Sequence, residues 1–330
     1  MFRIHLWTSL ALLASVWSCA ESTKRVDVVA TTGMIADLTR SIAGERLEVT
    51  ALMGPDVDPH LFSPTRSDVA TLQATRLVLY NGLHLEGRMG DAFEALRDSG
   101  TIVVAIGEGL PADRILLDPE QGEHPDPHVW MDASLWASAT GVIADALCEL
   151  DPDGAEEYRR RAGELEKELR AVHEWGREQV TRIPENCRVL ITSHDAFRYF
   201  GRAYGLEVHG IQGISTDSAA GLSDITRLVD LVVERRVPAV FAESSVPSKS
   251  VEALREGAQK RGHDLHIGGE LFSDAMGPEG TPAGTCVGML EHNLRTICEA
   301  LGATTRDRSS TSGGPATDQG HGKLAAMDRP

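Results

Sequence analysis

The sequence predicts an α/β protein of two lobes, each a parallel sheet flanked by helices, joined by one long rigid backbone helix. Three observations carry this expectation. Short, β-branched apolar runs alternate with helical patterns over residues 26–105, and the alternation restarts over residues 188–301, the pattern of a parallel sheet with helices on its faces. Between the two series, residues 151–183 form one amphipathic stretch. In it Tyr158, Ala162, Leu165, Leu169, Val172 and Val180 recur mostly three or four apart in a Glu- and Arg-rich background. The length of 330 residues suits two domains.

In chain order, residues 1–18 read as an export signal peptide: Arg3 supplies positive charge, and residues 6–17 are mostly apolar but too short to span a bilayer. Cys19 follows and is a candidate for lipid attachment after cleavage. Residues 19–150 form the N-terminal lobe, with strands expected at 26–31, 47–53, 77–80 and 101–105 and helices at 33–43, 67–74 and 91–99. Residues 151–183 are the connecting helix, ended by Pro184. Residues 184–302 form the C-terminal lobe, with strands at 188–192, 206–209, 239–242 and 264–267 and helices at 196–204, 223–235, 248–261 and 285–301. From 303 to 330 the chain is rich in Ser, Thr, Gly and Asp and is expected to be a disordered tail.

The chain carries 49 Asp and Glu against 32 Lys and Arg, a formal charge of -17. This balance argues against a nucleic-acid partner, which needs clustered basic side chains. It suits a cationic ligand, although many soluble proteins are acidic for solubility alone. Beyond Cys19 there are Cys148, Cys187, Cys286 and Cys298, with no CxxC pair to suggest a zinc ribbon. Export permits disulfides, and a Cys286–Cys298 bridge is one option, whereas Cys148 sits in an apolar helical pattern and reads as a small core residue.

In open α/β sheets, ligands sit at the carboxyl ends of strands. The second strand runs into a loop ending Asp58-Pro59-His60. A later loop carries Asp126-Pro127-His128, just ahead of a helix. Strand 188–192 delivers His194, and strand 264–267 leads to Asp274. Three imidazoles and a carboxylate therefore lie past strand ends or in loops, two from each lobe. A single loop histidine is usually just solvated, but the repeated Asp-Pro-His makes chance less comfortable, and its proline reduces the entropy lost on ordering the histidine. Imidazole nitrogen and carboxylate oxygen suit Zn²⁺, Mn²⁺ or Fe²⁺, and the absence of thiolate disfavours Cu⁺.

These residues lie in segments that resemble the metal-binding solute-binding proteins of bacterial zinc and manganese ABC importers, the TroA-like group. The resemblance spans about residues 25–302 and is carried by TGMIAD at 32–37, DPHLFSPT at 58–65, YNGLHLE at 80–86, DPHVWMD at 126–132, HDAFRYF at 194–200, FAESS at 241–245 and GELFSDAM at 269–276. It implies two lobes on a single backbone helix. It also implies a metal site at His60, His128, His194 and Asp274, the His3Asp version of a site whose third position is His or Glu among relatives. The function implied is that of the extracytoplasmic component of an ABC importer. The protein, not itself an enzyme, captures zinc or manganese, with iron fitting the same donors, as transported ligand in the cleft between lobes. It acts as a monomer in the periplasm or at the outer face of the cell membrane, and delivers the metal to a membrane permease with its cytoplasmic ATPase.

The alternative is a zinc metallohydrolase with a His3Asp site, but four protein donors leave no open position and there is no H-E-x-x-H motif. Nucleotide enzymes lack their signatures here, with neither G-x-G-x-x-G nor G-x-x-x-x-G-K-[ST] present. His84 and Glu86 read as supporting or structural, and His124 as a weak metal gatherer. His209, His263 and His266 read as satisfied structural residues. Asp195 is a helix cap or an orienting group, and Asp217 and Glu243 are candidate supporting carboxylates.

Overall fold

A computed structural model describes residues 26–119 and 122–308. The expected signal peptide, Cys19 and the tail beyond 308 lie outside these residues.

In the N-terminal lobe, β1 (Val28–Ala30), β2 (Val49–Ala51), β3 (Leu77–Tyr80) and β4 (Ile102–Ala105) are all parallel, in the order β2-β1-β3-β4. Period-two alternation sends Val28, Leu77 and Leu79 to one face and Val29 and Val78 to the other. The first face meets α1 (Gly33–Ala43) and α5 (Ala139–Leu150), and the second meets α2 (Arg66–Ala74) and α3 (Gly90–Asp98). Both faces are thus covered, which is why these strands read as unbroken apolar runs. A single turn, α4 (Ala133–Trp136), precedes α5 and is capped by Asp132, whose carboxylate accepts the Ser134 and Leu135 amides.

The connecting helix, α6 (Ala155–Val180), has 26 residues, a length of about 39 Å at 1.5 Å per residue. Pro152–Gly154 forms a separate 3-10 turn before it. One face of α6 packs on α1, α4 and α5, and also on α7 (Arg198–Tyr204) and α10 (Cys286–Ala300) of the second lobe. Gly176 is required there: a Cβ would lie 2.8 Å from both Leu294 and Tyr204.

In the C-terminal lobe, β5 (Val189–His194) pairs with β6 (Glu207–Gln212), and β7 (Ala239–Glu243) pairs with β8 (His266–Leu271), all parallel. β5 lies beside β7. Helices α8 (Leu222–Arg235) and α9 (Lys249–Lys260) complete the lobe. Two strands run further than the sequence suggests. β5 continues through His194, which pairs with Gln212. β8 continues through Gly268 and Gly269, a pair that reads as a loop. A Cβ on Gly268 would come 2.6 Å from the Ala300 side chain and 2.8 Å from Phe241, so this glycine marks a close approach of α10 rather than a turn.

One expectation is corrected and one open question is answered. The tail does not begin at 303: Ala303 is buried, the Trp175 indole N–H donates to the Arg306 carbonyl at 2.9 Å, and the Arg306 amide donates to Gln179. The segment to 308 is held to α6 by backbone bonds that composition does not reveal. Cys286 and Cys298 form no disulfide; all four described cysteines are free. Both lie on α10, twelve residues apart, about 18 Å along a helix and far beyond bridging distance.

One apolar cluster runs through both lobes and α6, joining Leu79, Trp136, Trp175, Phe200, Phe241 and Leu294. Among the described residues, no helix is long and apolar enough to cross a membrane.

Candidate metal-binding site

The four predicted residues come together. His60 follows β2, His128 precedes a 3-10 turn at Val129–Met131, His194 ends β5, and Asp274 lies three residues beyond β8. One donor atom from each falls within 4.8 Å of all the others. His60 Nε2 lies 3.3 Å from His128 Nε2. Asp274 Oδ1 is 3.4 Å from His128 Nε2, and Oδ2 is 3.2 Å from His194 Nε2 and 3.9 Å from His60 Nε2. A tetrahedron with ligand bonds of about 2.1 Å has edges of about 3.4 Å, so these spacings match a small divalent ion.

Each donor is aimed by its own support. In both Asp-Pro-His segments the aspartate carboxylate accepts the amide N–H of the histidine two residues on, at 2.9 Å for Asp58–His60 and 3.0 Å for Asp126–His128. Proline removes the intervening N–H and fixes φ, so both segments close the same Asx turn. Asp126 also lies 2.8 Å from His128 Nδ1, and the Arg198 guanidinium reaches its other oxygen at 3.3 Å. With Nδ1–H engaged, Nε2 is left as the donor atom. Glu243, at the end of β7, accepts the His194 amide at 2.9 Å; its other oxygen lies 2.6 Å from His194 Nδ1, too oblique for a linear hydrogen bond. Asp274 is placed indirectly. Asn293 of α10 accepts from the Phe272 amide and donates to the Phe272 carbonyl, while the Trp130 indole donates to the Ser273 carbonyl at 2.7 Å.

His128 and His194 are fully buried, Asp274 is 2% exposed and His60 is 7% exposed. Both Asp274 oxygens are buried without a hydrogen-bond partner in the described structure. An ionised carboxylate left so would cost several kcal/mol; a cation between it and the imidazoles answers that cost.

Without a cation, protons do part of this work. Burial depresses the His128 imidazole, but Asp126 and Asp274 outweigh it and hold the group at about 9. Burial likewise opposes charge on His194, yet Glu243 and Asp274 push it well above the usual imidazole range. Burial would raise Asp274, but His194 and His128 hold it well below the usual carboxylate range. For His60 burial wins over the more distant Asp274, 3.9 Å away, and lowers the group to about 4. The carboxylates around His128 and His194 thus favour their protonated forms, and a cation taking these nitrogens must displace any proton they carry.

Of the remaining candidates, Glu243 supports His194 directly. Glu86 is buried and accepts from the Thr31 hydroxyl and the Asn81 and Gly82 amides; it shapes the loop whose Asn81 side chain donates to the Pro127 carbonyl. Asp195 does not cap α7, whose N-cap position is Phe197; its carboxyl is raised to about 6 by burial. Asp217 touches none of the four residues and pairs with Arg88. His84 and His124 are exposed, with ring centroids 5.7 Å apart, outside the donor group. His209 and His263 bond Glu207 and the Val237 carbonyl. Sequence reasoning missed Asp126, Asn293 and Trp130. The repeated aspartate of Asp-Pro-His was the available signal for the first. Asn293 and Trp130 act across gaps of 21 and 143 residues, which leave no local pattern.

Fold and site together define a two-lobed binding protein that offers a buried nitrogen- and oxygen-lined pocket to a small cation. The chain belongs to the family described as zinc-uptake complex component A, periplasmic, which matches residues 28–300. It is 47% identical over 274 residues to the zinc-binding protein TroA of Treponema pallidum, covering 83% of this chain and 88% of that one. It is 44% identical over 278 residues to the manganese-binding lipoprotein MntA of Bacillus subtilis, covering 84% and 90%. The solved structure of periplasmic zinc-binding TroA from Treponema pallidum superposes with a TM-score of 0.81 at 46% identity, covering 86% of this chain and all of that one.

Proposed function

We propose that this protein is the extracytoplasmic substrate-binding component of an ABC importer, and that it captures a divalent transition metal through His60, His128, His194 and Asp274 for delivery to the membrane permease and its ATPase. The observation that carries the reading is the convergence of three Nε2 atoms on a buried carboxylate with no other partner. Capture exchanges the ion's water for these donors and expels any proton on His128 and His194. The relatives named above are binding proteins and the sequence carries no H-E-x-x-H motif, so the hydrolase alternative has no support. We extend the proposal to a monomer tethered through lipid on Cys19.

Both oxygens of Asp274 face the imidazoles. This supports a carboxylate that binds through both oxygens, a coordination number above four, and hence manganese as well as zinc as cargo. The test is equilibrium titration of purified protein with Zn²⁺, Mn²⁺ and Fe²⁺. His60→Ala and His194→Ala should each weaken binding by more than about a hundredfold, beyond the usual effect of losing an outer partner, with the far-ultraviolet circular dichroism retained. Wild-type affinity in both variants would sink the assignment.

A further inference from the structure

His60 differs from the other two imidazoles. Its ring has no carboxylate behind it and it is the most exposed of the four donors. It also forms part of the wall of a cavity of about 230 Å³ that His84, Arg88, Ser215 and Asp217 line as well, so this is where the site meets its surroundings. What holds the His60 loop comes from the other lobe. The segment 213–221, between β6 and α8, crosses to the N-terminal lobe. The half-buried Thr216 hydroxyl donates to Asp58 Oδ2 at 2.6 Å, while Asp58 Oδ1 accepts the His60 amide. On the other side of the histidine, Arg88 donates to the Leu61 carbonyl at 3.0 Å and to Asp217 Oδ1 at 2.8 Å. Adjacent residues of one segment thus grip both flanks of the His60 loop.

We infer that Thr216 is a positioning residue that governs metal release: through Asp58 it holds His60 on the ion, and loss of this cross-lobe contact frees His60 as the first donor to leave. The inference rests on the metal-binding reading above. The two grips are unequal. The Thr216 bond is a partly buried hydrogen bond to a carboxylate, a strong class, whereas Arg88 and Asp217 are about half exposed and such pairs contribute little. Thr216 therefore dominates.

The test loads wild type, Thr216→Val, Thr216→Ser and Asp217→Asn with zinc and follows dissociation into excess EDTA by stopped flow. Thr216→Val, which replaces the hydroxyl with a methyl group of similar size, should release zinc about tenfold faster, the scale of a lost hydrogen bond to a charged group. Association should be little changed, Thr216→Ser should restore slow release, and Asp217→Asn should have a smaller effect than Thr216→Val. A melting temperature of the metal-free Thr216→Val protein equal to wild type separates positioning from general destabilisation. Wild-type dissociation in Thr216→Val overturns the inference, as does faster dissociation that Thr216→Ser does not reverse. His60→Ala run in parallel keeps the two readings apart: if it binds zinc like wild type, the site assignment fails. If it binds weakly while Thr216→Val behaves as wild type, only the role of Thr216 fails.

Discussion

The two Asp-Pro-His segments share one local geometry and differ in what the second carboxylate oxygen meets. In Asp126 it faces Arg198, while the first oxygen lies beside both the amide and the ring of His128. In Asp58 it takes the Thr216 hydroxyl and the ring of His60 is left alone. The same tripeptide therefore yields one imidazole held near 9 and another near 4, a contrast that depends on tertiary partners and is invisible in the motif. It has a consequence for pH. The His128 group lies above its ordinary value of 6.5. Its proton therefore stabilises the metal-free protein fully below pH 6.5, and this stability is lost as pH rises through about 9. The loaded protein cannot carry that proton. The gap in melting temperature between zinc-loaded and metal-free protein should widen from pH 6.5 to 9, and apparent affinity should rise across the same window by up to about tenfold per pH unit for each proton displaced. A gap that stays flat over that window would show that no proton is exchanged at the site.

At the scale of elements, the eight strands of the described residues were legible: most are short apolar runs between turn residues, both faces of the N-terminal sheet being buried, while the mixed β6 and β8 were legible from their place between helical patterns. The donors were legible because three of them follow expected strands and two repeat a motif. What escaped the sequence is how the elements aim them. The end of β8 illustrates this: Gly268 and Gly269 look like a loop, yet they let α10 approach, and Asn293 of α10 then holds both the amide and the carbonyl of Phe272. No periodicity encodes that contact, since Asn293 lies on the buried side of a helix otherwise lined by Met289, Leu290, Leu294 and Ile297. Replacing it leaves two buried backbone groups unpaired. Asn293→Ala should lose about 2 kcal/mol or more in urea unfolding of the metal-free protein and also weaken zinc binding by loosening Asp274. Asn293→Ala with wild-type affinity would mean that Asp274 is placed by Trp130 and Ser273 alone.

For the molecule as a whole, the question is how far the lobes can move when the ion arrives. A binding protein with a flexible hinge closes like a clam because its lobes share little but crossing strands. Here α6 packs against helices of both lobes, and one apolar cluster continues from Leu79 through Trp175 to Phe241 and Leu294. Polar ties reinforce it beside the site: Trp130 donates to Ser273, Tyr199 donates to the Asp126 carbonyl at 2.9 Å, and Arg202 donates to the Arg114 carbonyl at 2.7 Å. Opening the lobes as rigid bodies would expose part of this close-packed core and unpair these groups, at a cost of many kcal/mol. Loosening the 213–221 segment and the His60 loop gives up far less, the Thr216–Asp58 bond and the exposed Arg88 contacts. Metal exchange should therefore proceed by local motion about His60. Small-angle scattering of metal-free and zinc-loaded protein should give the same radius of gyration within error, while hydrogen exchange on loading should slow at residues 58–62 and 213–221 and change little in α6. A contraction of the whole particle on loading, with protection gained along α6, would instead place the movement at the junction of the lobes.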